Sequence, residues 1–165
     1  MNLDISPNDA TSLWDLLALR AEATGDAVAV IDEFDRRLTF AAGACAAERV
    51  AAGLLACGIE PGSTVSWQLP TRIETIVLSL ALSRLDVTQN PIIPLYRARE
   101  VTAMTKQCAS EWVITVPEFR GFDHAALAGR ELVPAVEVDQ QLLDRGLLVP
   151  AREVVVLGDA VETEP

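Results

Sequence analysis

At 165 residues the chain has the length of one domain or of a piece of a larger one. Half of the residues are apolar and 22% are charged, which is enough to fill a core and too little charge for a disordered chain. Thirteen Lys and Arg against 24 Asp and Glu leave a net charge of −11; such a chain repels phosphate backbones and anionic lipid, so neither nucleic acid nor a membrane surface is expected as a partner.

The first helix is expected to open at Thr11 or Ser12, where Ser12-x-x-Asp15 has the form of a capping pair, and to end at Thr24-Gly25. Val28 to Ile31 and Arg37 to Phe40 flank the polar turn Asp32-Glu33-Phe34-Asp35 and read as a small hairpin. From Ala41 to Ala56 the period becomes 3.6, with Ala46, Val50 and Leu54 in one row and Ala47, Ala51 and Leu55 in the next. Gly58 sits where a left-handed helix cap belongs, and Glu60-Pro61-Gly62 is turn chemistry. Val65, Trp67 and Leu69 then alternate with polar residues as a strand closed by Pro70.

A second long helix is expected from Thr71 to Leu85, with Ile73, Ile76, Val77, Leu80 and Ala81 facing inward. A strand from Val87 to Ile93 is interrupted by Pro91. A helix from Ala98 to Ala109 follows, through Val101, Met104 and Cys108. Trp112 to Val116 is the next strand, Asp123 caps a short helix through Leu127, and Val154 to Leu157 is a late strand; Val133 to Val149 carries only a weak pattern. Strands alternating with helices imply parallel pairing through right-handed crossovers, with strands buried on both faces. Trp67 and Trp112 are accordingly expected in the core. The fold class is α/β: a mostly parallel sheet flanked by helices, with a small N-terminal hairpin.

Several chemistries are missing from the sequence. The single lysine, Lys106, lies in Met104-Thr105-Lys106-Gln107-Cys108 without a glycine near it, so no Walker A loop is present, and no two glycines are separated by one residue, so GxGxxG is absent too. One histidine, His124, leaves no His cluster for a metal. Cys45, Cys57 and Cys108 are odd in number and form no CxxC, which favours reduced thiols over a disulfide scaffold. The acidic start Met1-Asn2-Leu3-Asp4 lacks the pattern of a signal peptide, and the longest apolar run, Ile76 to Leu82, falls far short of the roughly 20 residues that span a bilayer. A cytoplasmic protein without a membrane span is expected.

Three segments in order carry a resemblance. They are Leu38-Thr39-Phe40, the stretch Ala51-Ala52-Gly53-Leu54-Leu55-Ala56-Cys57-Gly58-Ile59-Glu60-Pro61-Gly62-Ser63-Thr64-Val65, and Val87-Thr88-Gln89-Asn90-Pro91-Ile92-Ile93-Pro94. Together with Glu100-Val101 at the start of the following helix, they resemble the N-terminal region of adenylate-forming enzymes, especially bacterial acyl-CoA synthetases (fatty-acid–CoA ligases). The likeness covers roughly residues 10–128. It implies an N-terminal tail over 1–10, a partial AMP-binding-type subdomain over 11–128, and a weaker continuation over 129–165 that ends before the phosphate loop. Asn90-Pro91 then ends a strand at the carboxyl edge of the sheet, where ligand crevices lie in open α/β sheets.

The resemblance implies an enzyme type that activates a carboxylic acid with ATP to an acyl-adenylate and passes the acyl group to CoA, with ATP, Mg and CoA needed by the full-length family. The phosphate loop with its lysine, the adenine segment and the lid lysine of that family are not found here. No catalytic, cofactor-binding or metal residue is therefore assigned in this chain, no cofactor is expected to be held by it, and it is expected to be inactive alone. Departures from the family pattern fit such a copy: Ala42-Gly43 replaces the usual Glu-Leu, which removes half of a capping box, and Asp86 replaces a glycine that matters if the position needs a positive φ.

The remaining polar residues read modestly. Arg97 and Arg99, after Pro94-Leu95-Tyr96, have the look of an anion clamp for CoA phosphates, but before Glu100 they are more simply a solvated, ion-paired helix start. Tyr96 reads as a partly buried loop anchor and His124 as a surface residue. Ser63, Ser66 and Ser83 lack a GxSxG context, Cys108 reads as packing, and Asp32 and Glu33 as solubilising turn residues. The alternative function is a non-catalytic assembly module that pairs as a homo-oligomer, with a full-length paralogue or with a separately encoded remainder. A flavodoxin-like nucleotide binder would need a phosphate loop after the first strand, and Asp32 to Asp35 does not supply one.

Overall fold

The computed structural model describes residues 10–131, 135–138 and 154–157, with side chains to residue 128. Helix α1 (Leu13–Thr24) opens as its sequence dictates: the Ser12 hydroxyl accepts from the Asp15 N–H at 3.1 Å, and the Asp15 carboxylate accepts from the Ser12 N–H at 3.0 Å. Strands β1 (Val28–Ile31) and β2 (Arg37–Thr39) pair antiparallel as the expected hairpin. Asp32 does more than keep that turn soluble, because its Oδ1 accepts from the N–H groups of Phe34 and Arg36 and so sets the loop. The Arg36 guanidinium bridges Asp32 to Glu74, tying the hairpin to the start of a later helix.

Helix α2 (Phe40–Ala56) keeps the Thr39 cap, whose hydroxyl accepts from the Ala42 N–H at 3.2 Å, and has no acidic residue in its first turn. Its buried row is Gly43, Ala47, Ala51 and Leu54; Leu55, expected in the stripe, is 45% exposed. Small residues on that row let α2 lie close to α1 and α3, which places Leu55 past the contact edge. At Gly43 an added Cβ would meet Leu38 Cδ2 at 3.4 Å, so Leu38 already covers the space that a larger residue would take.

Strand β3 (Thr64–Gln68), helix α3 (Ile73–Arg84), strand β4 (Thr88–Pro91), helix α4 (Ala98–Gln107) and strand β5 (Trp112–Thr115) follow the expected alternation. Helix α3 buries Val77, Leu78, Leu80, Ala81 and Leu82, whereas Ile73 and Ile76 are only half-buried. A short hairpin of β6 (Glu118–Phe119) and β7 (Phe122–Asp123) comes next, then helix α5 (His124–Glu131) and strands β8 (Ala135–Val138) and β9 (Val154–Leu157). Five strands form one sheet in the order β4-β3-β5-β9-β8, all pairs parallel, which is the α/β architecture expected from the sequence.

Side chains of β5 alternate between two cores. Trp112 and Ile114 join α1, α2 and α3 on one face, where Leu54, Ile59 and Leu82 are also buried. Each such aliphatic side chain contributes on the order of 2 kcal/mol by leaving water. Val113 meets Ala125 and Ala128 of α5 on the other face, beside a cluster of Ile92, Val101 and Leu127. Trp67 is half-buried and Trp112 buried, in keeping with core roles for both.

Three helices end in the same way. In α2, α3 and α4 the third residue past the helix donates to the carbonyl of the third-last helical residue, and the residue before it donates one carbonyl later. The pairs are Ile59 to Leu54 with Gly58 to Leu55, Val87 to Leu82 with Asp86 to Ser83, and Ser110 to Thr105 with Ala109 to Lys106. The pivots are left-handed, with φ of 95° at Gly58, 56° at Asp86 and 50° at Ala109.

Candidate functional site

Strand β3 has β4 on one side and β5 on the other, so the winding of the chain reverses around it. Such a reversal separates the flanking helices at the carboxyl ends of the two central strands and makes the usual place for a ligand crevice. The carboxyl ends of β3 and β5 are Gln68 and Thr115, and the β4–α4 turn, residues 92–97, passes beside them. This rim is the candidate site.

The rim is filled by the chain's own side chains. Gln68, 3% exposed, donates from Nε2 to the carbonyls of Ile93 at 3.0 Å and Tyr96 at 3.1 Å. Those two acceptors fix the amide's orientation, so its Oε1 faces His124 Nδ1 at 3.0 Å. The Thr115 hydroxyl donates to the Gln68 carbonyl at 3.2 Å. Further along the strands, Asn90 Nδ2 donates to Ser66 Oγ at 2.8 Å, and Ser66 and Ser110 share a 2.6 Å hydrogen bond.

His124 is 1% exposed and lies edge-on to Phe122, with centroids 5.0 Å apart, and 6.5 Å from Phe119. This corrects the surface position expected from the sequence. Its partner Gln68 is 56 residues away, and the β6–β7 hairpin that encloses it turns on Arg120 and Gly121, both at positive φ. Two phenylalanines around an Arg-Gly pair were the one available signal for that hairpin; the favoured Asn-Gly form of such a turn is absent. Burial, and after it the positive charge of Arg97, pushes the His124 imidazole below its ordinary value, while Asp123 opposes them. Asp123 also caps α5 as expected, accepting from the Ala126 N–H at 2.7 Å.

The other residues singled out are structural. Arg97 donates from one terminal nitrogen to the carbonyls of Pro94, Leu95 and Tyr96 at 3.2, 2.9 and 3.0 Å, and its guanidinium lies 3.9 Å from the Phe122 ring centre. It staples the β4–α4 turn, while Arg99 is exposed. Tyr96 is half-buried against the Ile92 cluster, as a loop anchor should be. Ser63 accepts from the Glu60 N–H and Ser83 from the Trp14 N–H. Cys108 is exposed at the C-cap of α4 and not packed, which corrects the packing role expected for it; Cys57 is buried, and burial pushes its thiol up. Lys106 is exposed.

Among the described residues no three His, Cys, Asp or Glu side chains come together as a metal site. Of the rim side chains, the Gln68 amide and the Thr115 hydroxyl already donate to backbone carbonyls. No described helix is long and apolar enough to cross a membrane.

The sequence profile of one family, AMP-binding enzyme, matches residues 17–163. A salicylyl-CoA synthase / salicylate adenylyltransferase of a Streptomyces species is 38% identical over 113 residues, which are 68% of this chain and 20% of that protein. The medium-chain fatty-acid–CoA ligase of Escherichia coli K12 is 32% identical over 100 residues, 61% of this chain and 18% of that protein. Among solved structures, the N-terminal domain of FACL13 from Mycobacterium tuberculosis superposes with a TM-score of 0.61 at 27% identity, covering 66% of this chain and 28% of that one. The o-succinylbenzoate CoA synthetase of Bacillus subtilis, bound to its acyl-adenylate, shares the fold with a TM-score of 0.69 at 24% identity, covering 81% of this chain and 26% of that one. The chain spans about a fifth of the length of these two curated relatives.

Proposed function

The chain belongs to the family of AMP-binding enzymes, and from that premise we propose that its 165 residues form the N-terminal layer of an ATP-dependent acid–CoA ligase. Such an enzyme joins a carboxylate to AMP with release of pyrophosphate, then transfers the acyl group to the CoA thiol. The observation that carries the reading is the family match over residues 17–163, which takes in the described parallel sheet. CoA as acceptor is supported by the names of the salicylyl-CoA synthase and the medium-chain fatty-acid–CoA ligase, which also bracket the acid as an aryl or a fatty acid. Free cysteines fit a reducing, cytoplasmic setting.

In this reading the segment by itself performs neither half-reaction. Its one lysine is exposed on α4 with no glycine nearby, and the rim donors are bonded internally. The test is carboxylate-dependent pyrophosphate exchange, with salicylate and with a medium-chain fatty acid. It is run on the chain alone and on the chain mixed with the E. coli ligase lacking its matching segment. Background from the chain alone and acid-dependent exchange from the mixture are expected. Exchange by the chain alone contradicts the inactivity, and a stable mixture that exchanges with neither acid counts against the ligase.

A second reading, an assembly module, draws on exposed apolar side chains: Val28, Ile31 and Phe34 on the hairpin, with Phe34 76% exposed, and Leu13 and Leu16 on α1. It predicts a dimer, or a complex with a full-length paralogue, in size-exclusion chromatography with mass detection. A monomer that leaves the paralogue unbound speaks against it.

A further inference from the structure

We propose that the Gln68–His124 hydrogen bond is an acid-released latch, which holds the β4–α4 turn and the first turn of α5 against the carboxyl edge of the sheet. The latch joins three elements, two of which, α5 and the β4–α4 turn, also pack together through Leu127 and Ile92. Gln68 ends β3, its amide N–H groups hold the Ile93 and Tyr96 carbonyls of the turn, and its amide oxygen holds His124 at the start of α5.

The tautomer follows from these bonds. Gln68 has both donors committed to carbonyls, so His124 Nδ1 must carry the proton that the amide oxygen accepts. Nε2 is then the unprotonated nitrogen. It is buried and has no hydrogen-bond partner among the described residues. Adding a proton there creates a buried cation whose new N–H has nothing to donate to.

The charged groups around the ring do not relieve this. Arg97, at the start of α4, repels a protonated imidazole, and Asp123, on β7, attracts it but already accepts the Ala126 N–H. Glu118 and Arg120 of the β6–β7 hairpin are exposed, and the β3 contribution is the neutral Gln68. Phe119 and Phe122 supply no acceptor.

The sign follows from linkage. Once α5 swings out, His124 regains its ordinary value of 6.5, while in the closed form it stays neutral to lower pH. The closed form is at full strength above about pH 6.5. Below that, the open form takes up one more proton, and the opening equilibrium rises about tenfold per pH unit until the closed form also titrates. The device stands on the described geometry and does not depend on the ligase reading.

His124 is the only histidine, so its ring resonances are unambiguous in the whole chain. Nitrogen-15 NMR at pH 7.5 is expected to show the Nδ1–H tautomer. Hydrogen-exchange protection of the Tyr96, His124 and Ala126 amides, corrected for intrinsic rates, is expected to fall about tenfold per pH unit below pH 6, while α2 amides keep theirs. In His124→Asn, which keeps a donor near Gln68 without titrating, that local pH dependence should vanish. An Nε2–H tautomer, a ring that titrates at 6.5 with protection unchanged, or an Asn variant that retains the acid-dependent opening each overturns the latch. If the variant fails to fold, the ring and exchange measurements on the natural chain decide alone.

Discussion

Gln68 does the most at the residue scale. A single buried amide satisfies two carbonyls of a turn and the one histidine of the chain. Replacing it by Leu keeps the volume and strands all three partners in a dry site. We expect Gln68→Leu to cost about 3 kcal/mol, since each stranded buried group costs roughly 1–3 kcal/mol and some of them regain water by local opening. Urea unfolding measures it; a loss below about 1 kcal/mol would mean that water already serves these groups. The sequence hid this arrangement. Gln68 read only as one of the polar residues alternating with Val65, Trp67 and Leu69, and His124 as a surface residue. Alternation marks a wet face only when one face of a sheet is open, and this parallel strand is covered on both. Arg97 was misread too: expected as a solvated, ion-paired helix start, its guanidinium instead takes three carbonyls of the proline-containing turn and lies over Phe122.

At the scale of elements, three helix ends of one design separate cleanly by residue. Gly58, Asp86 and Ala109 hold the same left-handed pivot, and only the first is a glycine. Asp86→Gly and Ala109→Gly are expected to raise stability, by about 0.5–1 kcal/mol each, with Ala109 gaining more because it has no side-chain oxygen to ease the pivot. Gly58→Ala should lower it by about 1 kcal/mol through the backbone alone, since an added Cβ comes no nearer than 3.7 Å to Trp112. Thermal melts of the three variants check the pattern; a destabilised Ala109→Gly would contradict it. Gly58 announced itself in the sequence, and Asp86 did so only through the glycine that the family resemblance leads one to expect there. Ala109 gave no sign, because an alanine after a helix reads as more helix. The β6–β7 hairpin left only the Phe-Arg-Gly-Phe run as a sign, because two-residue strands are too short to show a period.

For the whole molecule, the alternation of apolar strands and helices was enough to give a parallel, doubly covered sheet, and β9 was legible as a run of β-branched residues. The order of strands was not, since nothing in a local pattern says that β5 crosses β3 to its far side. That crossing sets the rim at Gln68 and Thr115, and it is also what the rest of a ligase would have to complete. Here Gln68 and Thr115 are already hydrogen-bonded within the chain, and a phosphate site would be completed by the rest of a ligase. Isothermal titration of Mg–ATP into the purified 165-residue chain at pH 7.5 tests this most directly. The account predicts no saturable heat up to millimolar nucleotide; a one-to-one isotherm in the micromolar range would contradict it.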